Sequence, residues 1–200
     1  MYLSRVVLST GRATDEWLMN PYHIHQCVCM ALPNDPRALY RLERDGGGRF
    51  RLLVQSSVLR PDWEKALDKF PFVVSYEFNR YEPRFAAGQI FAFRLRGCPS
   101  ATRNARRYPL LDEAAQYAWL NRKLAAAGVG VLVTEIVMRE RQRMTKQFAD
   151  GRLITMTHHG VLFEGRFRVI EPGRLVSALR AGIGSAKGLG FGLLSIMSPR

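Results

Sequence analysis

Cysteine is scarce in this chain, which holds only Cys27, Cys29 and Cys98 among 200 residues. The number is odd and no Cys-x-x-Cys pair occurs, which argues against both a disulfide framework and a thiolate zinc site. Long apolar runs are also missing. No stretch approaches the roughly 20 consecutive apolar residues that cross a bilayer, and Met1-Tyr2-Leu3-Ser4-Arg5-Val6-Val7-Leu8 alternates like a strand instead of offering the apolar core and small-residue cleavage site of a signal peptide. A cytoplasmic protein without membrane contact is expected. Acidic residues are the third shortage, with 17 Asp and Glu against 30 Lys and Arg and a formal net charge of +13. A surface of that sign attracts a polyanion, and nucleic acid is the polyanion expected here.

With 47% hydrophobic and 24% charged residues, the composition supports one sizeable core or two small ones. Strand-like segments fall at Leu3–Leu8, Ala38–Glu43 and Arg49–Ser56, the last two joined by the hairpin signal Asp45-Gly46-Gly47-Gly48. Between the first two strands, Asn20-Pro21 reads as an N-cap followed by proline at the first helical position, opening a helix that runs to about Ala31. A second helix, Pro61–Lys69, leads into a strand at Phe72–Glu77. The order β-α-β-β-α-β predicts a ferredoxin-like domain over residues 1–82. After a polar connection around Asn79–Gln89 the order recurs: strand Ile90–Arg96, helix Leu111–Ala127, a hairpin region from Val129 to Ile170, helix Gly173–Ala181 and a final strand Phe191–Ile196. The fold expected is therefore α+β, two tandem ferredoxin-like domains with antiparallel sheets, the second over residues 88–200. In its long helix, Ala114, Tyr117, Ala118, Trp119, Leu120 and Leu124 form an apolar face that reads as core.

A helical wheel over the Asn20-Pro21 helix puts Ile24, Cys27, Val28 and Ala31 on the side a sheet would bury. Tyr22, His25, Gln26 and Cys29 fall nearly opposite, and Tyr22 and His25, three residues apart, are neighbours on that face. An imidazole titrates near neutrality and can protonate a leaving 5′-oxygen while a phenol orients the reacting groups, and RNA supplies its own nucleophile in the 2′-hydroxyl. A solvated histidine beside a tyrosine that covers a loop is the plainer alternative, and His23 on the flank of the same helix competes for any role.

Near the carboxyl end, residues 182–192 carry five glycines around Lys187, among them Gly184, Gly188 and Gly190, where backbone can approach a ligand closely. The stretch is neither a P-loop nor a dinucleotide fingerprint, because it follows a helix and enters a strand. Arginines gather at Arg94, Arg96, Arg103, Arg106 and Arg107, and basic residues again at Arg139, Arg141, Arg143, Lys146 and Arg152. Ser100–Tyr108 reads as a polar loop and Arg139–Arg152 as a connection between strands, so both clusters are expected to project toward a phosphate backbone. His158 and His159 alternate across a strand and cannot offer two ligands to one metal, so no metal site and no cofactor are expected.

Several segments together resemble the CasE family of CRISPR-associated endoribonucleases. They are Met1-Tyr2-Leu3-Ser4, Asn20-Pro21-Tyr22 with His25, Val54-Gln55-Ser56 before Pro61-Asp62-Trp63, Phe93-Arg94-Leu95-Arg96, Ala118-Trp119-Leu120 with Arg122-Lys123-Leu124, Phe163-Glu164-Gly165, and the terminal glycine loop. The resemblance implies tandem ferredoxin-like domains that bind a CRISPR repeat hairpin and cut at its base without a metal, leaving a 2′,3′-cyclic phosphate and a 5′-hydroxyl. It implies that the product is retained within Cascade, beside other Cascade subunits. It assigns the catalytic histidine to His25 and the active-site tyrosine to Tyr22. Among the arginines it reaches only Arg94 and Arg96, so the others rest on charge. A non-catalytic RNA-binding subunit of a ribonucleoprotein complex is the main rival.

Overall fold

The computed structural model describes residues 1–33, 35, 38–56, 60–67, 70, 72–148 and 150–198. The first elements are β1 (Tyr2–Leu8), α1 (Arg12–Leu18), α2 (Pro21–Ala31), β2 (Leu39–Arg44), β3 (Phe50–Ser56), α3 (Trp63–Leu67) and β4 (Val73–Arg80). There follow β5 (Ile90–Gly97), β6 (Ser100–Arg103), β7 (Arg106–Pro109), α4 (Glu113–Ala126), β8 (Val129–Gln147), β9 (Leu153–Val169), α5 (Pro172–Ala181) and β10 (Leu194–Met197). A 3₁₀ turn, Lys187–Leu189, lies in the glycine loop. The chain forms two compact units. One comprises Met1–Glu82, Gln142–Thr157 and Lys187–Gly190; the other comprises Pro83–Arg141, His158–Ala186 and Phe191–Arg200. The domains expected over 1–82 and 88–200 are continuous stretches, whereas by compactness the far end of the β8–β9 hairpin and the turn around Gly188 group with the first unit.

In the first unit the strands run in the order β2-β3-β1-β4, antiparallel throughout. β1 is central, with Val6 opposite Leu52 on one side and Tyr76 on the other. Side chains alternate across a strand, so Ser4, Val6 and Leu8 of β1 turn inward together. Val6 and Leu8 meet Leu52 and Val54 of β3, the inner face of α2, and Trp63 and Ala66 of α3 in one core. In the second unit the order is β10-β5-β9-β8. Taken in sequence order within each unit, both sheets place the fourth strand beside the first, then the third, then the second. That is the ferredoxin-like order, and it appears twice.

The second core is built from Phe93 and Leu95 of β5, Phe163 and Phe167 of β9, Trp119, Leu120 and Leu124 of α4, and Leu175 and Leu179 of α5, all buried. Gly165 falls on the inward side between Phe163 and Phe167, and a Cβ there would sit 2.1 Å from the Val133 carbonyl oxygen. Only glycine lets β8 and β9 approach this closely at that point.

The structure departs from the sequence reading in several places. α1 has no counterpart in that reading; it follows Gly11, whose φ of 136° favours glycine, and has no side-chain cap. Ser100–Tyr108 is not a loop but the β6–β7 hairpin, closed by Asn104 and Ala105 at φ of 49° and 60°. Two positive φ values in a two-residue connection match the twist of paired strands. Arg139, Arg141, Arg143 and Lys146 lie within β8 itself, not in a connection between strands. On α4 the inward face is Gln116, Trp119, Leu120 and Leu124, while Ala114 and Ala118 are not among its buried residues and Tyr117 is half-buried. Alanines carry little apolar surface, so the larger side chains set the helix's rotation. Gln116 is buried because its polar atoms are engaged: its Nε2 donates to the carbonyls of Leu110 and Leu111, and its Oε1 accepts from Arg139. The helix expected over Pro61–Lys69 is described as Trp63–Leu67, with 68 and 69 outside the described residues. The last strand begins at Leu194 rather than Phe191.

Candidate functional site

The site is built on α2. Asn20 sits at its N-cap in extended conformation, and its Oδ1 accepts from the Tyr22 amide at 3.2 Å, with Pro21 filling the first helical position. The cap fixes where the helix starts, and the start fixes which residues face the sheet. Ile24, Cys27, Val28 and Ala31 are buried, as the wheel requires. Tyr22 and His25 therefore share the outer face, their ring centroids 5.6 Å apart and their planes tilted by 35°.

That face is not open solvent. Both rings are half-buried, because other parts of the first unit close over them. Gly188 lies against the imidazole, where a Cβ would be in ordinary van der Waals contact at 3.6 Å from His25 Cε1. The Gly188 backbone accepts a hydrogen bond from the ring, and its carbonyl also accepts from the Tyr40 hydroxyl at 2.9 Å. Lys146 of β8 places its Nζ 5.8 Å from the Tyr22 ring centroid and 4.6 Å from that of Phe148. Asn20 ties this strand to the helix, since its Nδ2 donates to the Thr145 carbonyl at 3.0 Å.

These neighbours set the proton affinity of His25. Burial disfavours the charged ring and lowers its pKa below 6.5; the bond to Gly188 opposes this, and the like charge of Lys146 adds to the lowering. In the free protein the imidazole is thus biased toward its neutral form at neutral pH. The Cys29 thiol lies 3.6 Å from His25 Nε2, and partial desolvation on this side of the helix raises its pKa.

The second imidazole has a different occupation. His23 Nδ1 lies 2.7 Å from the Trp17 carbonyl oxygen, and its ring stacks on the Trp17 indole at 5.4 Å. This helix–helix packing uses one nitrogen and one face of the ring.

The other residues marked by the sequence are distributed over both units. Lys187, Gly188 and Gly190 belong to the first, with Gly190 at a φ of 85°. Gly184 belongs to the second, where a Cβ would fall 2.9 Å from the Trp119 indole, so its lack of a side chain serves core packing. Arg94 is paired with Glu164, and Arg96 with Glu140 while lying 4.5 Å over the Phe191 ring. Arg139 is held by Glu113 and Gln116, and Arg152 by Asp150. Arg103, Arg106, Arg107, Arg141 and Arg143 are exposed. Among the described residues no group of three or more His, Cys, Asp or Glu side chains is placed to hold a metal ion. No helix among them is long and apolar enough to cross a membrane.

Comparison with known proteins shows that a family model described as CRISPR associated protein matches residues 1–198. This chain belongs to the CRISPR-associated protein family. It is 31% identical to the CRISPR-associated endoribonuclease Cse3 of Thermus thermophilus over 98% of this chain and 99% of that protein. It is 29% identical to the CRISPR system Cascade subunit CasE of Escherichia coli, with 98% of both chains covered. The solved structure of Thermus thermophilus Cse3 bound to an RNA representing a pre-cleavage complex superposes with a TM-score of 0.83 at 31% identity, covering 98% of each chain. The fold of this CRISPR-associated chain is thus similar to that solved structure over 98% of its length.

Sequence reasoning finds Asn20 as a helix cap but not as the anchor of β8, and it gives Tyr40 no role. Thr145 is 125 residues from Asn20 and Gly188 is 148 from Tyr40, so only the folded chain brings these pairs together.

Proposed function

We propose that this chain is an endoribonuclease that matures CRISPR guide RNA in the cytoplasm: it binds the repeat hairpin of the precursor, cuts at the hairpin base and keeps the product within Cascade. The names of its full-length relatives, an endoribonuclease and a Cascade subunit, support the class of activity. The observation that carries the chemistry is the Tyr22–His25 pair on the outer face of a capped helix, roofed by Gly188 and faced by Lys146.

In this reading the 2′-hydroxyl attacks the adjacent phosphorus, forming the new P–O bond of a 2′,3′-cyclic phosphate as the bond to the 5′-oxygen breaks. The leaving oxygen takes a proton from the His25 imidazolium, the proton released by the 2′-hydroxyl passes to solvent, and the neutral imidazole left behind takes a proton back from solvent before the next turnover. The negative charge of the approaching phosphate counteracts the burial and Lys146 effects on the ring and makes the imidazolium available. Tyr22 orients the reacting groups through its phenol. Lys146 meets the charge that builds on the phosphoryl oxygens. The exposed arginines and the backbone of the Lys187–Gly190 turn hold the RNA by its phosphates.

The test is to incubate the full chain with the repeat transcript of its own host in excess EDTA and to analyse the ends. A single cut leaving a 2′,3′-cyclic phosphate and a 5′-hydroxyl is expected, abolished by one 2′-deoxy nucleotide before the cut. Loss of cutting on chelation, restored by a divalent ion, contradicts the reading.

A further inference from the structure

Beside Tyr22 the first unit has an open cleft of about 500 Å³ that the chemistry above does not use. Tyr22, His23 and Gln26 of α2 line one wall, and Phe148 and Leu153 of the hairpin line the other. The make-up of the cleft points to one class of ligand. Phe148 and Leu153 give an apolar wall, and Lys146 and Arg152 lie 4.6 Å and 5.5 Å from the Phe148 ring centroid. An apolar wall with cations packed over its aromatic ring suits a flat heterocycle attached to a phosphate backbone. Across from it, the Gln26 side-chain amide has no partner among the described residues. One carboxamide supplies both a donor and an acceptor, the pair that reads the edge of a base. His23 lines the cleft with its Nδ1 already engaged by the Trp17 carbonyl, which as a donor leaves Nε2 as an acceptor in the neutral ring.

We infer that this cleft receives the base of a nucleotide adjoining the scissile phosphate, unstacked from the hairpin, with Phe148 as its apolar wall and Gln26 reading its edge. The inference rests on the endoribonuclease reading and deepens it. Tyr22 is shared: its ring packs beside His25 and also borders the cleft. Seating the base would turn the neighbouring phosphate toward the imidazole and bring the 2′-hydroxyl into line with the bond to be broken. Sequence choice at the cut would then come from a pocket, while the arginines supply affinity without reading sequence.

The experiment is a cycle on the full chain. Repeat RNAs made abasic at either nucleotide flanking the cut are compared with intact RNA, using the parent, Phe148→Ala and Gln26→Ala. At one of the two positions the abasic RNA is expected to lower kcat/KM of the parent by about 5- to 150-fold, the range of base–aromatic stacking. Phe148→Ala should lose a similar factor on intact RNA and show little further loss on the abasic RNA. Gln26→Ala, a change on the outer side of the helix, should fold normally and lose discrimination among the four bases there. 2-Aminopurine at that position, in an RNA blocked by a 2′-deoxy nucleotide, should brighten on binding to the parent as it leaves the stack. A parent indifferent to both abasic positions, or variants that keep the full penalty and the parent's base preference, overturns the pocket while leaving the nuclease intact. A parent that fails to cut intact repeat RNA removes the nuclease reading and this one with it.

Discussion

Asn20 grips Thr145 through both of that residue's backbone groups: its Nδ2 donates to the Thr145 carbonyl at 3.0 Å, and its Oδ1 accepts from the Thr145 amide at 3.4 Å. The same oxygen caps α2 through the Tyr22 amide. One carboxamide thus sets both the start of the helix that carries Tyr22 and His25 and the place of the strand that carries Lys146. A cap alone asks only for a side-chain oxygen, whereas this joint also needs the amide nitrogen.

Separating the two jobs gives the first prediction. Asn20→Ala should destabilise the fold by about 1 kcal/mol through removal of the cap, with a further loss from the unpaired Thr145 groups. Asn20→Ser should recover most of the cap contribution but not the tie to Thr145, and so should fold near normally and cut slowly. Thermal melts and single-turnover cleavage read the two effects. A serine variant that cuts like the parent would mean that Lys146 is held in place without Asn20.

The second prediction concerns the titration of His25. Its pKa is lowered from 6.5, first by burial and then by Lys146, against the opposing bond to Gly188. A depressed folded value means that the unfolded chain takes up the proton first. The contribution of His25 to stability is therefore present above pH 6.5 and is lost as pH falls through the folded value. In an NMR titration of the free protein the His25 midpoint should lie below 6.5 and move upward in Lys146→Met, where the like charge is gone. A midpoint that stays put or falls in that variant would place the ammonium away from the ring.

How much of this is legible in the sequence depends on the reach of each signal. Asn20-Pro21 announces α2, and its periodicity separates Ile24, Cys27, Val28 and Ala31 from Tyr22 and His25, because capping and helical spacing act within a few residues. The glycine-rich turn signal likewise announces the β2–β3 hairpin, whose Asp45 accepts from the amides of Gly47 and Arg49. The Asn104-Ala105 turn escapes notice because alanine rarely takes a positive φ, so nothing in its local chemistry marks a hairpin. The rotation of α4 is misread from sequence, since alanine suits either side of a helix and only packing around Trp119 decides between them. The roof over His25 is invisible there: Lys146 and Gly188 stand out for charge and flexibility, and no local pattern shows that both arrive at the same imidazole.

Charge alone is a weaker guide for the arginines, and this yields a third prediction. Arg139 is engaged by Glu113 and Gln116, whereas Arg141 and Arg143 stand exposed on β8 with no ion-pair partner among the described residues. Changing Arg141 and Arg143 together to Gln should weaken repeat binding and reduce the slope of log K against log salt by about 0.7 to 0.9 for each phosphate no longer neutralised. Arg139→Gln should act mainly on stability, through the lost partner of the buried Gln116 amide, the exposed pair with Glu113 contributing little. Equal salt slopes for the parent and the double variant would move the RNA elsewhere on the surface.

The central claim is that His25 performs chemistry and does not merely hold RNA, and the direct test is to measure binding and cleavage separately in His25→Ala. The variant should bind the repeat hairpin nearly as tightly as the parent and lose roughly 10²- to 10⁴-fold in single-turnover cleavage rate, the range for removal of a general acid–base group. His25→Ala cutting at the parent's rate, or a parent that binds the hairpin without cutting it, would contradict the claim; the second result would make this chain a non-catalytic RNA-binding subunit.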